Sequence, residues 1–195
     1  EITTRLVGSE MCIRDRYTAV DVQDERQLAF YEHNGFKMDY TEDLVRLNDP
    51  DEVPQLFNCS CITLPLNTVQ EQMDLVSRMR GAGFSYFDHG FLLQQMNRQN
   101  FAALGILYGS NLVGACVAAG QYTSAEVMGL YIVPEFQRKG LGTRLLQQTK
   151  QALASTGVTD LTMRVMSDSE PQVRLVQRFR AELVEHTSVF PSMQI

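Results

Sequence analysis

The chain has 195 residues, 44% of them hydrophobic and 21% charged, with a formal net charge of −6. That length suits one full domain plus a fragment, and that balance excludes a disordered chain. No apolar run approaches the roughly 18 residues needed to cross a bilayer, no apolar leader segment opens the chain, and an acidic surface disfavours nucleic acid while tolerating a cationic amine. A cytoplasmic chain with no membrane contact is expected.

Leu6 to Arg16 reads LVGSEMCIRDR. The run resembles one reading frame of a sequencing-library adapter. Residues 1–16 are therefore set aside from fold reasoning, and the natural N-terminus is expected to be missing. Tyr17 to Val22 reads as the end of a strand, Glu25 to Glu32 as a short helix stopped at His33-Asn34-Gly35, and Phe36 to Leu47 as a strand. Asn48-Asp49-Pro50-Asp51 then reads as a turn and linker.

A second unit begins near Cys59. Cys61 to Leu66 predicts a strand, and Thr68-x-x-Glu71 is a capping box opening a helix that carries Val69, Met73, Val76 and Met79 at helical spacing. Phe91 to Met96 predicts a second helix; Met73, Met79 and Met96 are read as core filler. Ala102 to Tyr108 and Leu112 to Ala119 flank Gly109-Ser110-Asn111, a hairpin signal, and Ala125 to Val133 is a third strand stopped by Pro134. Gly140 to Leu153 predicts a helix with Leu141, Leu145, Leu146, Thr149 and Leu153 on one stripe, closed by Gly157. Leu161 to Val165 is a strand, Glu170 to Ala181 a helix and Leu183 to Phe190 a closing strand. This order predicts an α/β domain with a mixed, largely antiparallel sheet flanked by helices.

The run that carries chemistry is Val133-Pro-Glu-Phe-Gln-Arg-Lys-Gly-Leu-Gly-Thr143, set between a strand and an amphipathic helix. Backbone N–H groups at a helix N-terminus lack intrahelical partners and sit at the positive end of the dipole, so they bind anions. Gly140 and Gly142 remove side chains that would keep a phosphate from the backbone, and Arg138 and Lys139 add positive charge. Cys59-x-Cys61 is the only close cysteine pair and has no second pair to complete a metal site, so no metal is expected.

Gln137-Arg138-Lys139-Gly140-Leu141-Gly142 resembles the Q/R-x-x-G-x-G/A signature of the GCN5-related N-acetyltransferase (GNAT) family. The resemblance implies that the amides of residues 138–143, ending at Thr143, hold the pyrophosphate of acetyl-CoA. It implies too that Tyr131, Ile132 and Val133 pair with the pantetheine arm and supply the oxyanion donor. Ala125-Glu126-Val127 resembles the strand start of the histone acetyltransferase branch, which makes Glu126 the candidate base. The acceptor implied is a small-molecule or peptide amine.

A second family pattern runs Val, Asn, Tyr, Gly-Phe, and the N-terminal stretch matches it with Val20, Asp24, Tyr31, Gly35 and Phe36. Val165, Ser169, Val176, Arg180 and Ala181 repeat its spacing 145 residues later. The resemblance implies tandem domains: residues 17–48 the end of a first, 49–57 a linker, and 58–195 a complete second. The family's tyrosine, proton donor to the leaving sulfur, is Val176 here, so a degenerate domain that binds coenzyme A or nothing and serves as a scaffold is the alternative. Phe84, Tyr86, Phe87 and Phe91 fall where the family builds its acceptor pocket or pack the core. His89 and His186 are read as surface or helix-edge side chains, and Tyr31 as structural.

Overall fold

A computed structural model of the chain describes residues 20–192; the adapter-like run lies outside them. In chain order the elements are β1 (Val20–Asp21), α1 (Glu25–His33), β2 (Lys37–Arg46), β3 (Cys59–Thr63), α2 (Val69–Gly81), α3 (His89–Met96), β4 (Asn100–Tyr108), β5 (Asn111–Gln121), β6 (Ser124–Ile132), α4 (Leu141–Ala154), β7 (Asp160–Met166), α5 (Glu170–Arg178) and β8 (Glu182–Ser192). They form one eight-stranded sheet, ordered β1-β8-β2-β7-β6-β5-β4-β3. Every neighbouring pair is antiparallel except β6 and β7. The mixed, largely antiparallel sheet expected from sequence is present.

Two hydrophobic clusters cover opposite faces. On one, α4 buries Leu141, Leu145, Leu146, Thr149 and Leu153, the whole predicted stripe, against Leu104, Cys116, Val127, Leu161 and Val165. Thr149 is tolerated there because its hydroxyl donates to Leu145 O at 2.9 Å. Burial also pushes the Cys116 thiol up to about 12, so it acts as a small apolar residue. On the other face, α2 and α3 bury Leu75, Val76, Met79, Phe87 and Leu92 against Val117 and Tyr131.

Helix α2 departs from its predicted stripe. Val69 and Met73 are 64% and 43% exposed, and the inward face is Gln72, Leu75, Val76 and Met79. Met73 is therefore not core filler. Gln72 goes inside because both ends of its amide are satisfied, by Leu66 O at 2.9 Å and His89 Nε2 at 2.8 Å. Strand β3 ends earlier than predicted because Pro65 has no N–H to continue the ladder, and it begins two residues earlier, where Cys59 pairs with Tyr108.

One β-α-β unit occurs twice. Helices α1 and α5 start 145 residues apart and have nine residues each. Their ends match bond for bond: Phe36 N–H donates to Tyr31 O at 3.0 Å, and Ala181 N–H to Val176 O at 3.1 Å. Gly35 and Arg180 both take positive φ, 80° and 46°. That turn stops α5 at Arg178, three residues short of the predicted Ala181. The strands cross over: β1 pairs with β8, β2 with β7, and β2 with β8. The first repeat's strand thus sits inside the sheet of the second.

Arg180 holds a conformation that costs an L side chain about 1 kcal/mol, whereas glycine takes it freely. Its guanidinium pairs with Asp51, but both groups are more than half exposed, so that pair contributes little. Arg180→Gly is expected to raise unfolding free energy by about 0.5–1 kcal/mol, read by urea denaturation.

Candidate active site

The site is assembled where β6 leaves β7. Their parallel pairing runs from Ser124/Asp160 to Val127/Met163 and then stops, although β6 continues to Ile132 and β7 to Met166. Just past that point β6 carries a bulge: Val127 faces Ala118 and Gly129 faces Val117, leaving Met128 unpaired. The Tyr86 hydroxyl donates to Met128 O at 2.7 Å. Beyond the bulge, Val133 N–H donates to Val113 O at 2.8 Å. Antiparallel alternation then turns the backbone groups of Tyr131 toward β5 and those of Leu130 and Ile132 toward the edge that β7 has vacated. Of the predicted trio, only Ile132 presents its backbone to that edge, and its carbonyl already accepts Gln137 Nε2 at 2.8 Å. Leu130 is not among the expected residues; its orientation follows from the bulge, which has no signature in the sequence. The Tyr131 side chain points into the second core cluster, where its buried hydroxyl has no hydrogen-bond partner among the described residues.

After Ile132 the chain makes a 3₁₀ turn at Pro134–Phe136 and enters α4 through Gly140. Arg138 and Gly140 both take left-handed backbone, φ 60° and 84°, a conformation used where successive amides turn toward an anion. Among the described residues, no acceptor reaches the N–H groups of residues 138–143, and no side chain caps the helix. Gln137, Arg138 and Lys139 are exposed. The Lys139 ammonium folds back, donating to Glu135 O at 2.9 Å and lying 5.2 Å from the Phe136 ring centroid. Arg138 lies 3.9 Å from Glu170 with both side chains largely exposed, a loose pairing that leaves its charge available.

The two glycines differ. A Cβ on Gly140 would lie 2.7 Å from Pro54 Cγ, so the residue answers to its positive φ and to the linker packed on it. A Cβ on Gly142 would meet nothing nearer than 3.8 Å. The protein's own packing does not require glycine there.

On the face away from α4, Glu126 sits one residue before the strands part. Arg164 Nε donates to its Oε1 at 2.9 Å, while Arg164 Nη1 donates to Glu42 Oε2 at 3.3 Å. Burial opposes the Arg164 charge, but Glu126 and Glu42 outweigh it and hold the guanidinium above its ordinary value. Burial raises the Tyr86 hydroxyl, and Glu126 and Glu42 add to the rise, so it remains a donor at neutral pH. Tyr86 also stacks edge-on with Phe84 and Phe91, at centroid distances of 6.0 and 5.5 Å. Val176, which the sequence resemblance sets against the family tyrosine, is buried in the first cluster. His89 is held by Gln72, and His186 Nδ1 lies 2.7 Å from Asp43 Oδ1. Cys59 and Cys61 lie on one face of β3, packed partly against the first cluster. Tyr31 stacks on Phe30 and Phe36. Among the described residues, no His, Cys, Asp or Glu cluster is placed to hold a metal, and no helix is long and apolar enough to cross a membrane.

The sequence profile of the acetyltransferase (GNAT) family matches residues 70–180, more than half of the chain. The chain belongs to the GNAT family. No curated protein matches this GNAT chain. Among solved structures it is similar to a GCN5-related N-acetyltransferase from Sphaerobacter thermophilus, 13% identical with a TM-score of 0.67 over 92% of this chain and 61% of that one. A tandem GNAT protein from the clavulanic acid biosynthesis pathway is 18% identical, with a TM-score of 0.61 over 90% of this chain and 62% of that one. The ribosomal-protein-S18-alanine N-acetyltransferase from Escherichia coli is 12% identical, with a TM-score of 0.56 over 70% of this chain and 96% of that one. At such identities the likeness is one of fold. The chain spans about three-fifths of the length of the first two.

Proposed function

We propose that the chain is an N-acyltransferase that moves an acetyl group from acetyl-CoA to a primary amine. The observation that carries this reading is the run of unpartnered amides from Arg138 to Thr143 at the uncapped N-terminus of α4. Such a cradle suits a diphosphate, and Gly142, which the fold itself leaves unconstrained, lets phosphate oxygens approach the backbone. Leu130 and the N–H of Ile132 face the vacated strand edge and would pair with the pantetheine arm, with the Leu130 N–H as donor to the developing oxyanion. A typical amine has a pKa near 10.4 and is protonated at neutral pH, so a base is needed; Glu126, beside the parting strands, fills that role. Attack of the freed amine on the thioester carbonyl forms the C–N bond, and collapse breaks the C–S bond and releases coenzyme A. A thiol leaves tolerably without an acid, so Val176 slows the reaction without forbidding it.

The repeated β-α-β unit and the likeness to a tandem GNAT protein support a tandem origin, with residues 17–48 the end of a first domain, 49–57 a linker and 58–195 the second. Val176 also favours a second reading, a coenzyme-binding domain without turnover that acts as a scaffold. Calorimetric titration with acetyl-CoA followed by thiol release over an amine panel separates the two. Micromolar binding with amine-dependent release is expected. Binding without release supports the scaffold, and absence of binding removes both.

A further inference from the structure

The guanidinium of Arg164 is shared between two carboxylates from different parts of the chain. Glu126 belongs to β6, and Glu42 to β2, the strand inserted from the N-terminal repeat. Glu42 is itself held: the Thr187 hydroxyl lies 3.0 Å from its Oε2 and 2.9 Å from its backbone carbonyl. With Nη1 anchored on Glu42, Arg164 reaches Glu126 through Nε alone, and only at Oε1. Among the described residues, no hydrogen bond reaches Glu126 Oε2. An arginine prefers to grip a carboxylate with two parallel N–H bonds, as Arg46 grips Asp160 through Nε at 2.7 Å and Nη2 at 3.4 Å, and on Glu126 that Nε/Nη2 grip would occupy both oxygens.

We propose that Glu42 is a positioning residue for the acyl transfer: by holding Arg164 Nη1 it fixes the guanidinium in an orientation in which Nη2 does not bond Glu126, and so keeps Oε2 open for the acceptor's proton. The inference rests on the reading of Glu126 as the base. It makes catalysis in the C-terminal unit depend on a strand supplied by the N-terminal one.

The test is a variant series on the full chain, with acetyl-CoA and a primary amine shown to be a substrate. Glu42→Ala releases Arg164 onto Glu126, and kcat is expected to fall about tenfold, a fraction of what a general base contributes. KM for acetyl-CoA should stay within about twofold, since the amide cradle is untouched. Glu42→Gln, which keeps an oxygen for Nη1, should lose less. In Glu42→Ala/Arg164→Gln the competing cation is gone, and kcat should recover to within about threefold of the native value. A merely structural role for Glu42 predicts the opposite, because the double variant would lose a second contact. The proposal is overturned if Glu42→Ala turns over like the native chain, or if the double variant is no faster than Glu42→Ala. A native chain that releases no thiol with any amine overturns the proposed function itself, and the role of Glu42 with it.

Discussion

Glu126→Gln is expected to lower kcat by about 10²–10⁴-fold while leaving acetyl-CoA affinity within about twofold. The substitution keeps the shape of the side chain and an oxygen for Arg164 Nε, but removes the lone pair that accepts the amine's proton. The ion pair is partly exposed, at 28% and 45% for the two side chains, so its loss costs little stability. Loss of turnover without loss of folding therefore reports chemistry. Thiol release against amine concentration, with calorimetry for the coenzyme, makes the measurement. Unchanged turnover would transfer the base role to another group or to water.

Gly140→Ala is expected to weaken acetyl-CoA binding by about 100-fold and to destabilise the chain by about 2–5 kcal/mol. The left-handed backbone at φ 84° costs alanine about 1–2 kcal/mol, and its Cβ would lie 2.7 Å from Pro54, an overpacking that adds about 1–3 kcal/mol. Relief by rotating the backbone would turn the amides of Leu141 and Gly142 away from a common centre. Gly142→Ala separates the two contributions. Its Cβ meets only ordinary contacts, so the fold should hold and any affinity lost belongs to the ligand. A Gly140→Ala chain that binds coenzyme normally would show that the cradle is not the binding site.

Much of the fold and of the candidate site is legible in the residues alone. The stripe Leu141, Leu145, Leu146, Thr149, Leu153 is buried as its spacing predicts, because a helix's period marks its inward face directly. The hairpin at Gly109 and the strand stop at Pro134 follow from local backbone chemistry, and so do the unpartnered amides of residues 138–143. The insertion of β2 between β7 and β8 is not legible. Alternation says which side of a sheet a residue faces, but not which strand lies beside it. For the same reason the contact of Glu42 with Arg164, 122 residues apart, has no local sign. Gln72 departs from its pattern for another reason: its burial rests on partners at Leu66 and His89 that composition does not show.

The inserted position of β2 also orders events in time. Its neighbours on either side, β7 and β8, are made more than a hundred residues later. As the chain leaves the ribosome, Lys37–Arg46 must wait, with its hydrogen-bonding edges bare, until the last two strands emerge. The waiting strand carries Glu42, Asp43 and Arg46 among its residues, charges that discourage premature edge-to-edge association. Completion of the sheet is therefore a late, long-range step, and a ribosome-bound chain halted before β7 should already hold the β4–β5 hairpin while β2 remains open to proteolysis.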